Sequence, residues 1–200
     1  MSSKKLAYIS ILVAILALIS FIFFDQRVVE YFYSIKGGEV YQFFRYVTKL
    51  GQSEYLLIPA IFIFLYFRKK NRTLSLKAGF IFSSIALSGV IVNIIKPTIG
   101  RVRPNIYFEK GESGFNFFTI SHDFTSFPSG HSATAFALSV TLALLYKQYK
   151  YLLIFIACMV AISRVVIIRH YPSDILIGSL IGVVVSIMLY EKYFKKEIHE

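Results

Sequence analysis

A chain of 200 residues, 56% of them hydrophobic and with a mean hydropathy of +0.62, is too apolar for a soluble domain of ordinary composition. Its formal charge of +11 comes from 22 Lys and Arg against 11 Asp and Glu. The basic residues gather at the ends of apolar runs instead of forming one stripe with interleaved aromatics, which argues against a nucleic-acid partner. One cysteine, Cys158, lies inside an apolar run, which excludes an intrachain disulfide framework and a cysteine-rich metal site.

In chain order, the first apolar run is 6–24. It follows Lys4 and Lys5 as a signal peptide would, but no small-residue cleavage pattern precedes Asp25-Gln26-Arg27, so a retained first span is expected. Residues 25–53 mix Tyr31, Phe32, Tyr33, Phe43, Phe44 and Val47 with charges, the pattern of an amphipathic stretch in the membrane interface or of a connecting helix over the bundle. Further apolar runs follow at 54–67, 78–95, 132–146, 151–168 and 175–190. The second, fourth and sixth runs are short for a span of about 20 residues, so their helices must extend into flanking polar residues. Between the third and fourth lies 105–127, whose Gly111, Gly114, Phe115, Phe117 and Phe118 suit an aromatic loop at the headgroup level.

Five or six spans fit these runs, and charge favours six. With the amino terminus inside, the cytoplasmic segments hold twelve cations against three acids, whereas the opposite side holds ten against eight. The expected fold is therefore all-α: a polytopic membrane helix bundle of six transmembrane helices, with an interfacial segment between the first and second spans and both termini cytoplasmic. No repeat or low-complexity linker divides it, so residues 1–200 read as one domain.

Three strings carry chemistry, and six spans put all of them on the outer side. The first runs from Lys96 to Arg103-Pro104, the second is Pro128-Ser129-Gly130-His131, and the third is Ser163-Arg164 followed by His170 and Asp174. Pro172 suits the first turn of a helix, which places His170 just before the last span and Asp174 in its opening turn. A carboxylate that accepts the proton of one ring nitrogen leaves the other free as a nucleophile. Taken alone, that string reads more readily as an interfacial histidine with an aspartate cap. Ser129 and Gly130 open the fourth span, where free backbone N–H groups and the helix dipole make an anion cradle, with His131 at its rim as a proton donor and acceptor. Lys96, Arg103 and Arg164 supply cations for phosphoryl oxygens. Arg101, Lys110 and Arg169 read instead as span-end cations pointing to headgroups, and His122-Asp123 as part of a polar loop. The outer acids show no pairing that would seat Mg²⁺ and the histidines lack zinc spacing, so neither a metal nor another cofactor is expected. Gly178 and Gly182, four residues apart, suggest close helix packing within the bundle.

In order, Lys-x6-Arg-Pro, Pro-Ser-Gly-His and Ser-Arg-x5-His-x3-Asp resemble the three signature motifs of the type 2 phosphatidic acid phosphatase superfamily, the lipid phosphate phosphatases. The resemblance spans residues 96–174 directly. It implies a helical bundle with its site at the outer membrane face, and metal-independent hydrolysis through a phosphohistidine. His170 would be the nucleophile, Asp174 its orienting partner and His131 the acid that protonates the leaving oxygen, while Lys96, Arg103, Ser129, Gly130 and Arg164 bind the phosphoryl group. The expected substrate is a membrane lipid phosphate at the outer face of a bacterial inner membrane: undecaprenyl pyrophosphate, phosphatidylglycerophosphate or a lipid A phosphate. A lipid-to-lipid phosphotransferase would use the same residues, and a non-catalytic lipid-binding or transport protein would need no nucleophile. Nothing in the motifs calls for a second copy of the chain, so a monomer is the simpler expectation.

Overall fold

The structure, a computed structural model, describes residues 3–199. Helix α1 (Ser3–Phe23) turns directly into α2 (Asp25–Ser34), and α3 (Glu39–Val47) with the 3₁₀ turn Thr48–Gly51 completes the stretch before α4 (Glu54–Phe67). The long α5 (Arg72–Ile99) opens on Asn71, whose side chain accepts from the Leu74 N–H at 3.0 Å. A short α6 (Pro104–Lys110) follows, then α7 (Gly130–Leu145), α8 (Lys150–Val166) and α9 (Pro172–Leu189). A π-type turn, Tyr190–Phe194, leads into α10 (Lys195–His199). Among the described residues the chain is helical, with a single isolated strand-like pairing between Arg101 and Phe115.

Among the described residues five helical stretches are long and apolar enough to cross a membrane: Ser3–Phe23, Glu39–Phe67, Arg72–Ile99, Lys147–Val166 and Pro172–Glu197. Gly130–Leu145 is apolar but has only 16 residues. Leu12, Leu16 and Ile22 on α1, and Ile58, Phe62 and Leu65 on α4, are all exposed. Apolar surface of this extent belongs against lipid, and the chain is an integral membrane protein.

At the centre stands α7, packed on α5, α8 and α9, while α1 leans on α9 and α4 on α5. Its buried face is built from small side chains, Ser132, Ala133, Ala137 and Thr141 among them. The matching face of α9 carries the two glycines that the sequence suggested for packing. A Cβ at Gly178 would lie 2.3 Å from the Ser129 carbonyl oxygen, and one at Gly182 would lie 2.4 Å from that of Ala133. The two backbones approach this closely only because both positions lack side chains, as at other small-residue helix seams. The seam brings together the starts of α7 and α9, where Ser129 N–H donates to the Asp174 carbonyl at 3.0 Å. At the other site-facing end, α5 stops at Gly100, which adopts φ +59° and returns its N–H to Lys96 O at 2.9 Å. Only glycine fits here, since a Cβ would stand 1.6 Å from Asn116 O.

Candidate active site

Each motif string ends on a helix boundary, and packing gathers those boundaries on one side of the bundle. Lys96 lies in the last turn of α5, Arg103 caps the start of α6, and Ser129 caps α7, accepting from the Ser132 N–H at 3.4 Å. Arg164 is in the last turn of α8, and both Arg169 N–H and His170 N–H return to its carbonyl, at 2.9 and 3.1 Å. That turn includes Ile168 at φ +59°, a conformation that β-branched residues rarely adopt, so the backbone delivering His170 is held under strain. Pro172 then starts α9, and the Asp174 carboxylate accepts from the Tyr171 N–H at 2.9 Å, closing the helix start.

His131, Arg103 and Arg164 line one cavity of about 430 Å³, together with Thr48, His122 and Arg169. Lys96 and Arg103 line an adjoining cavity of about 460 Å³ with Asn93, His122 and Thr125. His170 and Asp174 lie beneath this surface, 2% and 0% exposed. Ser129 is likewise buried, with Gly130 half-buried beside it at the seam.

Of the cations lining the cavities, the three from the motif strings are held by neutral acceptors. Lys96 Nζ donates to Thr125 O at 2.6 Å, Arg103 Nε to His122 O at 2.8 Å, and one terminal nitrogen of Arg164 to Thr48 Oγ1 at 2.7 Å. Arg164 Nε is buried with no hydrogen-bond partner among the described residues. Burial, together with Arg169, pushes the Arg103 guanidinium down to about 10, so it remains charged at neutral pH. The Arg103 charge is also the main cause holding the His122 imidazole below its ordinary range.

His170 Nδ1 stands 3.5 Å from Asp174 Oδ2, at the outer edge of hydrogen bonding and without a closer partner. Burial holds the imidazole well below its ordinary pKa; contact with Asp174 opposes this, while the charges of Arg103, Lys96 and Arg164 add to it. The ring is therefore neutral, the form a nucleophile requires.

Behind the histidine lies a network that reaches beyond the specified positions of the three strings. Asp174 Oδ2 also accepts from Ser126 Oγ at 2.6 Å, while Asp174 Oδ1 accepts from Arg101 at 2.6 Å. The other terminal nitrogen of Arg101 donates to Asp25 Oδ2 at 2.8 Å, and its ring-facing side stacks 3.9 Å from the Tyr171 centroid. Reading Arg101 as a headgroup-facing cation is thus corrected: it is buried and forms ion pairs with two carboxylates. Burial disfavours its charge, but Asp174 and Asp25 outweigh that and hold its pKa above the usual guanidinium value. Lys110 does stay exposed, paired with Asp123 at 2.7 Å, and Arg169 is an exposed residue on the cavity rim. Among the described residues no group of three or more His, Cys, Asp or Glu side chains gathers as a metal site would.

Several known proteins resemble this chain in sequence or fold. The lipid A 1-phosphatase of Rhizobium johnstonii is 32% identical over 154 residues, covering 71% of this chain and 63% of that protein. Lipid phosphate phosphatase 1 of Arabidopsis thaliana is 29% identical, covering 72% of this chain and 54% of its own. The chain therefore spans between about half and two thirds of the length of these relatives. Among solved structures, a PAP2-type phosphatidylglycerolphosphate phosphatase from Bacillus subtilis superposes with a TM-score of 0.69 at 23% identity, covering 98% of this chain and 96% of that one. Aquifex aeolicus LpxE gives 0.65 at 24%, covering 84% and 94%. These two share the fold. Residues 77–198, well over half of the chain, match the PAP2 superfamily, and the protein belongs to it.

Proposed function

We propose that this protein is a metal-independent lipid phosphatase, a phosphoric monoester hydrolase acting through a phosphohistidine at residue 170. One observation carries the reading: a buried imidazole backed by a carboxylate lies among three cations, two of which line a cavity with a second imidazole, His131. A lipid headgroup site needs the cations but neither histidine.

In the first step His170 Nε2 attacks phosphorus as the phosphorus–oxygen ester bond breaks, and His131 gives its proton to the departing alkoxide. Water then attacks the phosphoramidate, His131 takes its proton, and inorganic phosphate leaves with His170 regenerated. A phosphate dianion among Lys96, Arg103 and Arg164 brings the negative charge that lets His131 carry the proton it must donate. The same cations, with the α7 start at Ser129 and Gly130, stabilise the transferring group.

In this reading Gly130–Leu145 is the fourth of six spans, extended by the polar residues at its start. Both termini are cytoplasmic and the whole chain is one phosphatase domain. The site opens at the outer face of a bacterial inner membrane, so a headgroup enters the cavities while its tail stays in lipid. Lipid A phosphates come first because two relatives at 32% identity bear the name lipid A 1-phosphatase; undecaprenyl pyrophosphate and phosphatidylglycerophosphate are the next candidates.

The test is phosphate release by the purified protein from these three lipids, with and without EDTA. Activity that survives the chelator in wild type and vanishes in His170→Ala supports the reading. Loss with EDTA and recovery with Mg²⁺, or normal turnover by His170→Ala, contradicts it.

A further inference from the structure

Asp174 faces two demands that pull against each other. It must hold one geometry beside His170, which favours strong bonds on its other side, and it must remain an effective anion as phosphorus joins the ring and the imidazole gains positive charge. Arg101 meets the first demand by donating to Asp174 Oδ1 at 2.6 Å from a buried position. A single guanidinium there would cancel the carboxylate's charge. The fork of Arg101, however, ends on a second carboxylate, Asp25, at 2.8 Å.

Asp25 is as fully engaged as Asp174. It is 2% exposed and accepts from Ser20 Oγ at 2.8 Å, from the Ser173 N–H at 3.0 Å, and from the Ser173 hydroxyl, which in turn accepts from Arg101 at 2.8 Å. One cation between two anions leaves the trio with a net charge of −1, opposite to that of the imidazolium formed on attack. Asp25 belongs to none of the three strings, and Arg101 occupies an unspecified position of the first.

We propose that Arg101 and Asp25 are positioning residues that act on the reaction through Asp174. Arg101 fixes the carboxylate's orientation, and Asp25 offsets the Arg101 charge so that Asp174 still faces His170 as an anion. The proposal rests on the nucleophile assignment above. The charges acting on His170 are Asp174, Lys96 from α5, Arg103 from the turn after it and Arg164 from α8; Arg169 and Tyr171 flank it in the chain, His131 lines the cavity with Arg103 and Arg164, and Arg101 and Asp25 lie behind Asp174. Among these named groups the acids are Asp25 and Asp174.

The experiment measures kcat, KM and the pH profile of the full chain in detergent for Asp25→Asn, Asp25→Glu and Arg101→Lys, each alone and combined with Asp174→Asn. Vanadate affinity and thermal unfolding are measured alongside. Asp25→Asn should lower kcat roughly 10- to 100-fold, by analogy with the loss of groups that orient metal-binding side chains. KM and vanadate affinity should stay within about twofold, because the phosphate-facing cations are intact. Its acid limb should move to lower pH, since loss of an anion disfavours the protonated ring, and Asp25→Glu should return the limb and most of the rate. In the Asp174→Asn background, Asp25→Asn should cost less than about twofold more, because its effect runs through the missing carboxylate.

Near-normal kcat in Asp25→Asn overturns the proposal. So does the same fractional loss in both backgrounds, or a loss matched by falling thermal stability with the acid limb unmoved. Should Asp25→Asn not fold, Arg101→Lys decides: it keeps the charge balance but cannot fork, so kcat should fall with the acid limb in place, and a wild-type kcat overturns the proposal. An active His170→Ala removes the parent reading, whereas an inactive His170→Ala with unaffected Asp25 and Arg101 variants removes this one alone.

Discussion

The two sides of Asp174 are built on opposite rules. Behind it, toward α1 and α2, charge is matched and polar atoms are closed: Arg101 lies between two carboxylates whose oxygens accept from Ser20, Ser126, Ser173 and Tyr171. In front, Lys96, Arg103 and Arg164 form no ion pair among the described residues and bond only to carbonyls and hydroxyls. Neutral acceptors fix a cation's position without cancelling its charge. The difference separates two tasks. The back is organised before any substrate arrives, while the front keeps positive potential in reserve for an anion, the arrangement that lowers reorganisation during reaction.

The sharpest way to break this contrast is to disconnect the two sides. Asp174→Asn keeps the shape but removes the anion between them, and kcat for lipid phosphate should fall on the order of 10⁴-fold, as for an orienting aspartate in other His-centred sites. A loss below tenfold in steady-state assays would mean that the sides are not coupled through this residue. His131→Ala probes the front alone and should lose about 10²–10⁴-fold on an alkyl phosphate. With p-nitrophenyl phosphate, whose leaving group needs no proton, much of that loss should disappear; equal losses on both substrates would remove His131 from the donor role.

Arg164→Lys keeps the front's charge but not its fork. The loss of one charge-assisted hydrogen bond, about 1.5–3 kcal/mol, should raise KM or lower kcat/KM by roughly 10- to 100-fold. A pH profile tests what burial does to the nucleophile. His170 must be unprotonated to attack and its pKa is held well below 6.5, so once the substrate's own second phosphate ionisation at about 6 is divided out, lowering pH through 6.5 should leave kcat/KM unchanged and the acid limb of the ring should appear only further down. A limb at or above 6.5 that persists after this correction would contradict a neutral buried ring. The smallest effect belongs to the ion pair of Lys110 with Asp123: Asp123 holds Arg103 through its backbone carbonyl, which Lys110 does not touch, so Lys110→Ala should change activity less than twofold and insensitively to salt.

Much of the front was legible in the sequence because its residues stand at helix ends with local signals. Pro172 marks the start of α9 and so the places of His170 and Asp174, and Ser129-Gly130 marks the start of α7. The small-residue spacing of Gly178 and Gly182 likewise anticipated the seam that joins those two starts. The back was not legible. Asp25 and Arg101 are 76 residues apart, each sits at the end of an apolar run, and a lone charge in that position has the same local pattern whether it faces headgroups or a buried partner. A usable clue was Asp25 itself, an acid placed directly after a 21-residue apolar helix on the side that holds the motifs. Two signals were also present for α6, which had read as loop: Pro104 at its first position and Gly111 just past its end.

The most direct measurement is rapid-quench trapping with a lipid whose terminal phosphate carries ³²P, followed by mapping of the labelled peptide. The account predicts an acid-labile, base-stable label on the peptide holding His170, formed in the first turnover and absent from His170→Ala. Steady turnover with no labelled protein, or a label on any other residue, would contradict it.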